Sequence, residues 1–386
     1  MELAEVPVKA TYHRLRRTSC FIPTWLNLTQ VNRRRGKLVT EYPFRLSSAQ
    51  RYPLKKADER TERTPCISRT RAGGMSQDDK HLGAILTPDE FEKFEAARIN
   101  QRPFRAAGSR DRLSDYFCLE DFERLVNQTG IWTPDRLEVM LDSQKVPPQN
   151  LYAQLQLYNG KQIRLEAANL QKLLDRGASV ILNDIGDMAD GLKSLKKIIA
   201  GYTGAKVESN LYYSQPGHQA FSVHFDVHDV FAFQIAGKKR WKVYQQAHRF
   251  PINHLAFLGG DLAKHEKAKG PVSMDFLMEQ GDFVYLPAGY YHEAICIDSI
   301  STHLSLGTVE MIGLDVISEL FDTGILDEFF RSPIRRTGGD NMPVADYLKL
   351  LTENLAQLMS SDAFTQAIEK KLQSFPHSAG NISIKK

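Results

Sequence analysis

The sequence predicts a mainly β fold with α: a small antiparallel barrel or double-sheet jelly roll, with N-terminal helices before it and a C-terminal helical region after it. Three observations predict this. From Lys206 to about Val309 the chain is a series of short strands with turn residues between them. Ahead of that stretch, runs such as "LTPDEFEKFEAARI" and "GLKSLKKIIAGYTG" carry helix-start and helix-stop signals. After Met311, apolar residues recur at helical spacing in "LDVISELFDTGILDEFF" and "VADYLKLLTENLAQLM".

The chain has 386 residues, 42% of them hydrophobic, which is enough to bury a core and to form two or three domains. No apolar run approaches the about 20 residues of a membrane-spanning helix. The four cysteines (Cys20, Cys66, Cys118, Cys296) are scattered and form no CxxC pair. They read as thiols of an intracellular, cytoplasmic protein and exclude a disulfide scaffold or a zinc ribbon.

The net charge of +4 hides an asymmetry. Residues 1–74 hold 16 Lys and Arg against 6 Asp and Glu, while the remainder holds 34 against 40. The folded part is therefore mildly acidic. The basic tail, 1–80, includes Arg33-Arg34-Arg35 and several prolines and shows little periodicity. It reads as a disordered segment, or as the product of a start assigned too early, with Met75 the alternative. A polyanion-binding arm and a targeting segment are the competing readings, and Glu2 and Glu5 argue against a transit peptide.

Beyond the tail, three further regions follow: 81–205, helical and mixed; 206–310, the barrel core; and 311–386, helical and a candidate dimerisation region. In the first, Thr87-Pro88 caps a helix, and "CLEDFERLVNQTG" is a second, short one. Asn159-Gly160 signals a hairpin. "SVILND" is a short buried strand between two helices that end at glycines.

The chemistry concentrates in "SVHFDVHDVFAFQIAGKKRWKVY". On a strand, residues two apart face the same way, so His224 and Asp226 share a side. His292 follows 66 residues after Asp226, in "GDFVYLPAGYYHEA" behind a Pro-Ala-Gly bend. Two imidazoles and a carboxylate can close one face of an octahedron and leave three positions open, as non-haem Fe(II) requires. An isolated HxD is common and proves little by itself. After an expected turn at Gly237, Lys239 shares a face with Trp241 and Val243. Either it snorkels out at the strand end, or it points inward and needs an anion such as a dicarboxylate cosubstrate. Lys238 and Arg240 have the outward parity. Upstream, Asn210 and Tyr212 share a strand face and offer an amide and a phenol, or they belong to an ordinary edge strand.

Together these segments resemble the JmjC-domain cupin family, in its ribosomal-oxygenase branch. The resemblance runs from "NLYYSQPGHQAFSVHFDVHDVFAFQIAGKKRWKVY" through "GDFVYLPAGYYHEA" to "STHLSLG" and spans roughly residues 110–310. It implies a double-stranded β-helix core and an Fe(II)- and 2-oxoglutarate-dependent oxygenase, with O2 as the second cosubstrate. His224, Asp226 and His292 match the iron ligands. Lys239 matches the residue that pairs with the distal carboxylate of 2-oxoglutarate. Asn210, Tyr212 and Ser305 match positions lining that pocket. His303 matches a family histidine whose role is either a buried hydrogen bond or catalysis. Gly307 departs from the pattern, since eukaryotic members tend to carry serine there. No catalytic group beyond the metal ligands is assigned. His228 and Asp229 read as supporting groups. The chain after Met311 is too short for the family's winged-helix domain. That domain is expected to be truncated or replaced, and helices after the barrel form a homodimer in the family.

The functional expectation is therefore hydroxylation of a protein or peptide side chain, with a ribosomal protein the family's precedent. The alternatives are a non-catalytic cupin that binds or scaffolds, or a hydroxylase of a peptide natural product, a small molecule or RNA. The acidic body favours a basic protein over a nucleic acid backbone, and no membrane partner is expected.

Overall fold

The computed structural model describes residues 82–376 except 159, 218–219, 259–261, 298 and 335–341. The basic tail and its candidate start lie outside the described residues, as does Asn159 of the expected hairpin.

The N-terminal region begins with helix α1 (Pro88–Ile99). Thr87 caps it, and Thr87 and Glu90 form the reciprocal pair of a capping box. Strand β1 (Phe104–Ala106), helix α2 (Leu119–Val126), and strands β2 (Leu137–Leu141) and β3 (Gln144–Lys145) follow. The expected hairpin is β4 (Tyr152–Leu157) paired with β5 (Gly160–Leu165), with Leu157 opposite Gly160, so the glycine opens the second strand. Helix α3 (Ala167–Leu174), the wholly buried strand β6 (Ser179–Leu182) and helix α4 (Asp190–Thr203) complete the region.

The barrel segment contains β7 (Lys206–Ser214), β8 (Asp229–Ala247), two short helices α5 (Leu255–Leu258) and α6 (Leu262–Ala268), then β9 (Val272–Glu279), β10 (Phe283–Leu286), β11 (Tyr290–Ile295) and β12 (Ser301–Val309). The two helices interrupt what the sequence predicts as an unbroken series of strands. After it come α7 (Gly313–Gly324), α8 (Glu328–Arg331), α9 (Val344–Met359) and α10 (Asp362–Ser374).

One strand organises the barrel. The first half of β8 pairs with β10 and β12, and the second half pairs with β9 and β11. The larger sheet runs β1-β10-β8-β12-β7-β6-β2-β3, and the smaller is β9-β8-β11. The change of sheet falls at Gly237. It is not the hairpin turn expected from the sequence but a bend inside a continuous 19-residue strand. Its φ is 65°, and a Cβ there would lie 1.7 Å from the Ile300 carbonyl oxygen, so both backbone conformation and space demand glycine.

Alternation along β8 divides the core. Phe231 and Phe233 face the helices, where they join Phe94, Phe283, Tyr285, Leu304 and Leu306 in the main apolar cluster. Val230 and Ala232 face the barrel interior with Trp241, Val243, Met278, Val284 and Leu286. Phe94 of α1 is fully buried and lies within about ring-contact distance of Phe231, Phe283 and Tyr285, with centroids at 5.7, 5.6 and 5.2 Å. The N-terminal helices thus close the back of the larger sheet, and the interior between the two sheets is left to the polar groups described next.

Candidate active site

His224 and His292 are brought together by a single antiparallel bridge, in which each backbone N–H donates to the other's carbonyl at 3.1 and 2.8 Å. The HxD segment is not a strand, as expected from the sequence, but an extended run fixed by this bridge and by the Gly289 N–H donated to the Asp226 carbonyl at 2.8 Å. The ligand atoms of His224, Asp226 and His292 lie within 4.8 Å of one another, and His292 Nε2 is 3.5 Å from Asp226 Oδ2.

Both imidazoles are oriented in the same way. His224 Nδ1 lies 2.8 Å from the Ser222 carbonyl and His292 Nδ1 lies 3.0 Å from that of Tyr290. A carbonyl can only accept, so each Nδ1 carries the proton and each Nε2 keeps its lone pair. Burial, and then the nearby His224 imidazole, push His292 down to about 4, so it is neutral at physiological pH. Burial pushes the Asp226 carboxyl up, but the imidazoles of His228, His292 and His224 outweigh it and hold the group below its ordinary value. A neutral His292 imidazole and an ionised Asp226 carboxylate suit a divalent ion.

The indole of Trp241 stacks on His292 with centroids 5.8 Å apart and planes at 13°, and it also meets the His303 ring at 5.6 Å, edge-on. His303 in turn stacks on Tyr212 at 4.8 Å. This aromatic column spans the interior between the sheets. Burial, followed by the neighbouring Lys239 ammonium and the His292 imidazole, holds His303 well below its ordinary pKa, and its Nδ1 has no hydrogen-bond partner among the described residues.

Lys239 lies inside. It is 5% exposed, like Trp241 and Val243 of the same parity, and does not snorkel. Its Nζ donates to Ser214 Oγ at 3.1 Å, and burial lowers it to about 8. Lys238 and Arg240 point outward to Glu279 and Asp275. A neutral hydroxyl does not supply the counter-charge that a buried ammonium calls for.

The remaining expected residues take graded positions. Tyr212 lies in the column. Asn210 shares its face but is engaged at the rim, where its side-chain oxygen accepts the Asp184 N–H at 3.0 Å. Ser305 is half-buried on the inward face of β12, opposite Asn210 and Ala232. Asp229 supports the site from behind. Its carboxylate accepts the Tyr285 hydroxyl and the Ala288 N–H, at the bend before β11. Sequence reasoning missed Ser214, although its parity with Asn210 and Tyr212 was the available signal. It also missed the Trp241–His292 stack, which no local pattern announces.

Residues 186–314 match the model of the JmjC domain family. Ribosomal oxygenase 1 of Rattus norvegicus is 35% identical over 108 residues, which are 28% of this chain and 18% of that protein. The bifunctional lysine-specific demethylase and histidyl-hydroxylase NO66 of Drosophila simulans is 26% identical over 222 residues, covering 53% of this chain and 26% of the relative. The alignments thus span well under half the length of these two relatives. The X-ray structure of E. coli ycfD shares the fold, with a TM-score of 0.51 at 17% identity, covering 76% of this chain and 74% of that one. The stretch that holds every side chain of the site, residues 186–314, is thus the part of the chain that is similar to a JmjC domain.

Proposed function

We propose that the chain is an Fe(II)- and 2-oxoglutarate-dependent oxygenase that hydroxylates a side chain of a protein substrate. The observation that carries the reading is the convergence of His224, Asp226 and His292, with both imidazoles held in the Nδ1–H tautomer, in the same interior as Lys239, a buried lysine that donates to the Ser214 hydroxyl. The donor set fits Fe(II): two imidazole nitrogens and a carboxylate oxygen, a set that leaves coordination positions open. When bound, Fe(II) with 2-oxoglutarate supplies the oxidising chemistry that places one atom of O2 on a C–H bond, the cosubstrate leaving as succinate and CO2.

The chain's own residues bind and orient. His224 and His292 present Nε2 and Asp226 presents a carboxylate oxygen. Lys239 and the Ser214 hydroxyl receive the far carboxylate of the cosubstrate, with the Tyr212 phenol, the Asn210 amide and Ser305 along the same inward faces of β7 and β12. The Tyr212–His303–Trp241 column is apolar on its faces and keeps water from the interior.

The substrate we favour is a basic protein such as a ribosomal protein. Two features support it: the acidic balance of the chain after residue 74, and the similarity to a protein named a ribosomal oxygenase. Homodimerisation through the C-terminal helices is part of the proposal. Leu314, Ile317, Phe321 and Leu348 are more than half exposed on α7 and α9, an apolar surface of the kind that marks an interface. We place the protein in the cytoplasm, where scattered cysteines persist as thiols. Among the described residues no helix is long and apolar enough to cross a membrane.

The test is an anaerobic titration with Fe(II) and 2-oxoglutarate, read by the visible charge-transfer band of the complex. Succinate release is then measured with peptides from a cell extract. The band, its loss in His224→Ala, and peptide-stimulated succinate are expected. Absence of iron binding, or an unchanged affinity in His224→Ala, overturns the reading and leaves a non-catalytic binding protein.

A further inference from the structure

The bridge that joins His224 to His292 has a second side. Phe225 lies between His224 and Asp226, and Tyr291 precedes His292, so each sits next to a ligand in the chain. Their rings meet edge to face, with centroids 5.3 Å apart. With Val223 and Tyr244 they form an apolar cluster separate from that of the interior. Between Tyr290 and His292 the pairing of β11 with β8 slips register, an irregularity of the kind that re-aims side chains.

Two histidines from other segments converge on this pair. His248 follows the end of β8, and His265 belongs to helix α6. His248 Nε2 and His265 Nδ1 each lie 3.2 Å from the Tyr291 hydroxyl oxygen. A phenol hydroxyl has one proton and two lone pairs, so it can bond both imidazoles at once. Tyr291 is 2% exposed, so its hydroxyl depends on these protein partners. The same two imidazoles pack on Phe225, with centroids at 4.5 and 5.9 Å.

The backbone extends the connection to the carboxylate ligand. The His248 N–H donates to the Gly289 carbonyl at 3.0 Å, and the Gly289 N–H donates to that of Asp226 at 2.8 Å. A Cβ on Gly289 would lie 1.8 Å from the His248 carbonyl oxygen, so this approach needs glycine.

We propose that His265 is a positioning residue for the metal centre. With His248 it grips Tyr291, and through Tyr291 and Phe225 it sets the aim of His292 and of the His224–Asp226 pair. A helix that carries no ligand thereby governs how tightly the ion is held and in what geometry. The inference rests on the metal-binding part of the oxygenase reading.

The experiment uses the full chain, with Mn(II) affinity read by electron paramagnetic resonance and the visible bands of the Co(II)-loaded protein as a report on ligand geometry. His265→Ala and Tyr291→Phe should each weaken Mn(II) about tenfold, as loss of a group that orients metal ligands does, and should shift the Co(II) bands. The double variant should bind no worse than Tyr291→Phe alone, because the two residues act through one hydroxyl. His265→Asn places an amide where Nδ1 stood and should restore both affinity and spectrum. Unchanged Mn(II) affinity and Co(II) bands in His265→Ala overturn the inference, as does a lowered melting temperature with unchanged bands, which is a structural tie alone. Failure of the wild type to bind either ion counts against the metal site itself. Binding by the wild type with no response to the His265 variants counts against this inference alone.

Discussion

The Asp229 carboxylate accepts the Tyr285 hydroxyl at 2.6 Å, and its other oxygen accepts the Ala288 N–H at 2.8 Å. One residue thus ties the start of β8 to the end of β10 and to the bend that launches His292. Charge-assisted hydrogen bonds of this kind contribute about 1.5–3 kcal/mol each. Asp229→Ala should lower the melting temperature and weaken Fe(II) or Mn(II) binding about 10- to 100-fold, as loss of a group that orients metal ligands does. Anaerobic metal titration checks it. An unchanged metal affinity would mean that the bend holds without Asp229.

Lys239 predicts a pH dependence with a definite sign. Burial lowers it from 10.5 to about 8. Between those values the unfolded chain binds the extra proton, so this group makes stability rise with pH across that window. The anion needs the charged form. Affinity for 2-oxoglutarate should therefore be full below about pH 8 and fall up to about tenfold per pH unit above it, as isothermal titration would report.

Lys239→Met should separate the two roles of that lysine. It removes a buried-charge penalty of roughly 3 kcal/mol at neutral pH, treated as an upper bound, so the variant should melt no lower than the wild type without cosubstrate. Its 2-oxoglutarate affinity should fall at least about 10-fold, on the scale of one charge-assisted contact. A variant that melts lower and still binds would place the ammonium outside the anion site.

Metal binding should be visible as stability. A divalent ion at 100 times its dissociation constant adds about 2.7 kcal/mol to the folded state. Mn(II) or Co(II) should raise the melting temperature of the wild type, and EDTA should reverse the shift. His292→Ala should show no shift.

The main cluster and the C-terminal face give two independent controls. Phe94→Ala should cost about 3–5 kcal/mol in denaturant unfolding with little change in metal affinity, because Phe94 packs behind the larger sheet. Phe321→Asp, on a residue 71% exposed, should leave the fold intact and convert a dimer to a monomer by light scattering. A wild type that is already monomeric would remove the dimer from the proposal.

The sequence made much of this site legible because side-chain parity survives folding. His224 with Asp226, and Lys239 with Trp241, keep the sidedness that alternation assigns, although the first pair does not lie on a strand. Parity also pointed to Ser214. The Gly237 bend was misread because a glycine with positive φ signals a hairpin and an in-strand bend alike. A 19-residue strand is also far longer than the about 5–6 residues that are usual. Helices α5 and α6 are too short for a period to show. The close approach of His228 to Gly307, where an added Cβ would lie 2.7 Å from the imidazole Cε1, was out of reach, since no local pattern relates residues so far apart in the chain.

The unbroken course of β8 makes the site a gauge. Asp226 lies three residues before this strand, Lys239 sits on it just past the bend, and His292 is paired across to Val243 on the same strand. The separation between the carboxylate corner and the ammonium is therefore set by one ladder and the short extended segment that the His224–His292 bridge pins to it. If Lys239 holds the far carboxylate as proposed, a dicarboxylate shorter or longer by one carbon should bind more weakly than 2-oxoglutarate, as a competition titration would report.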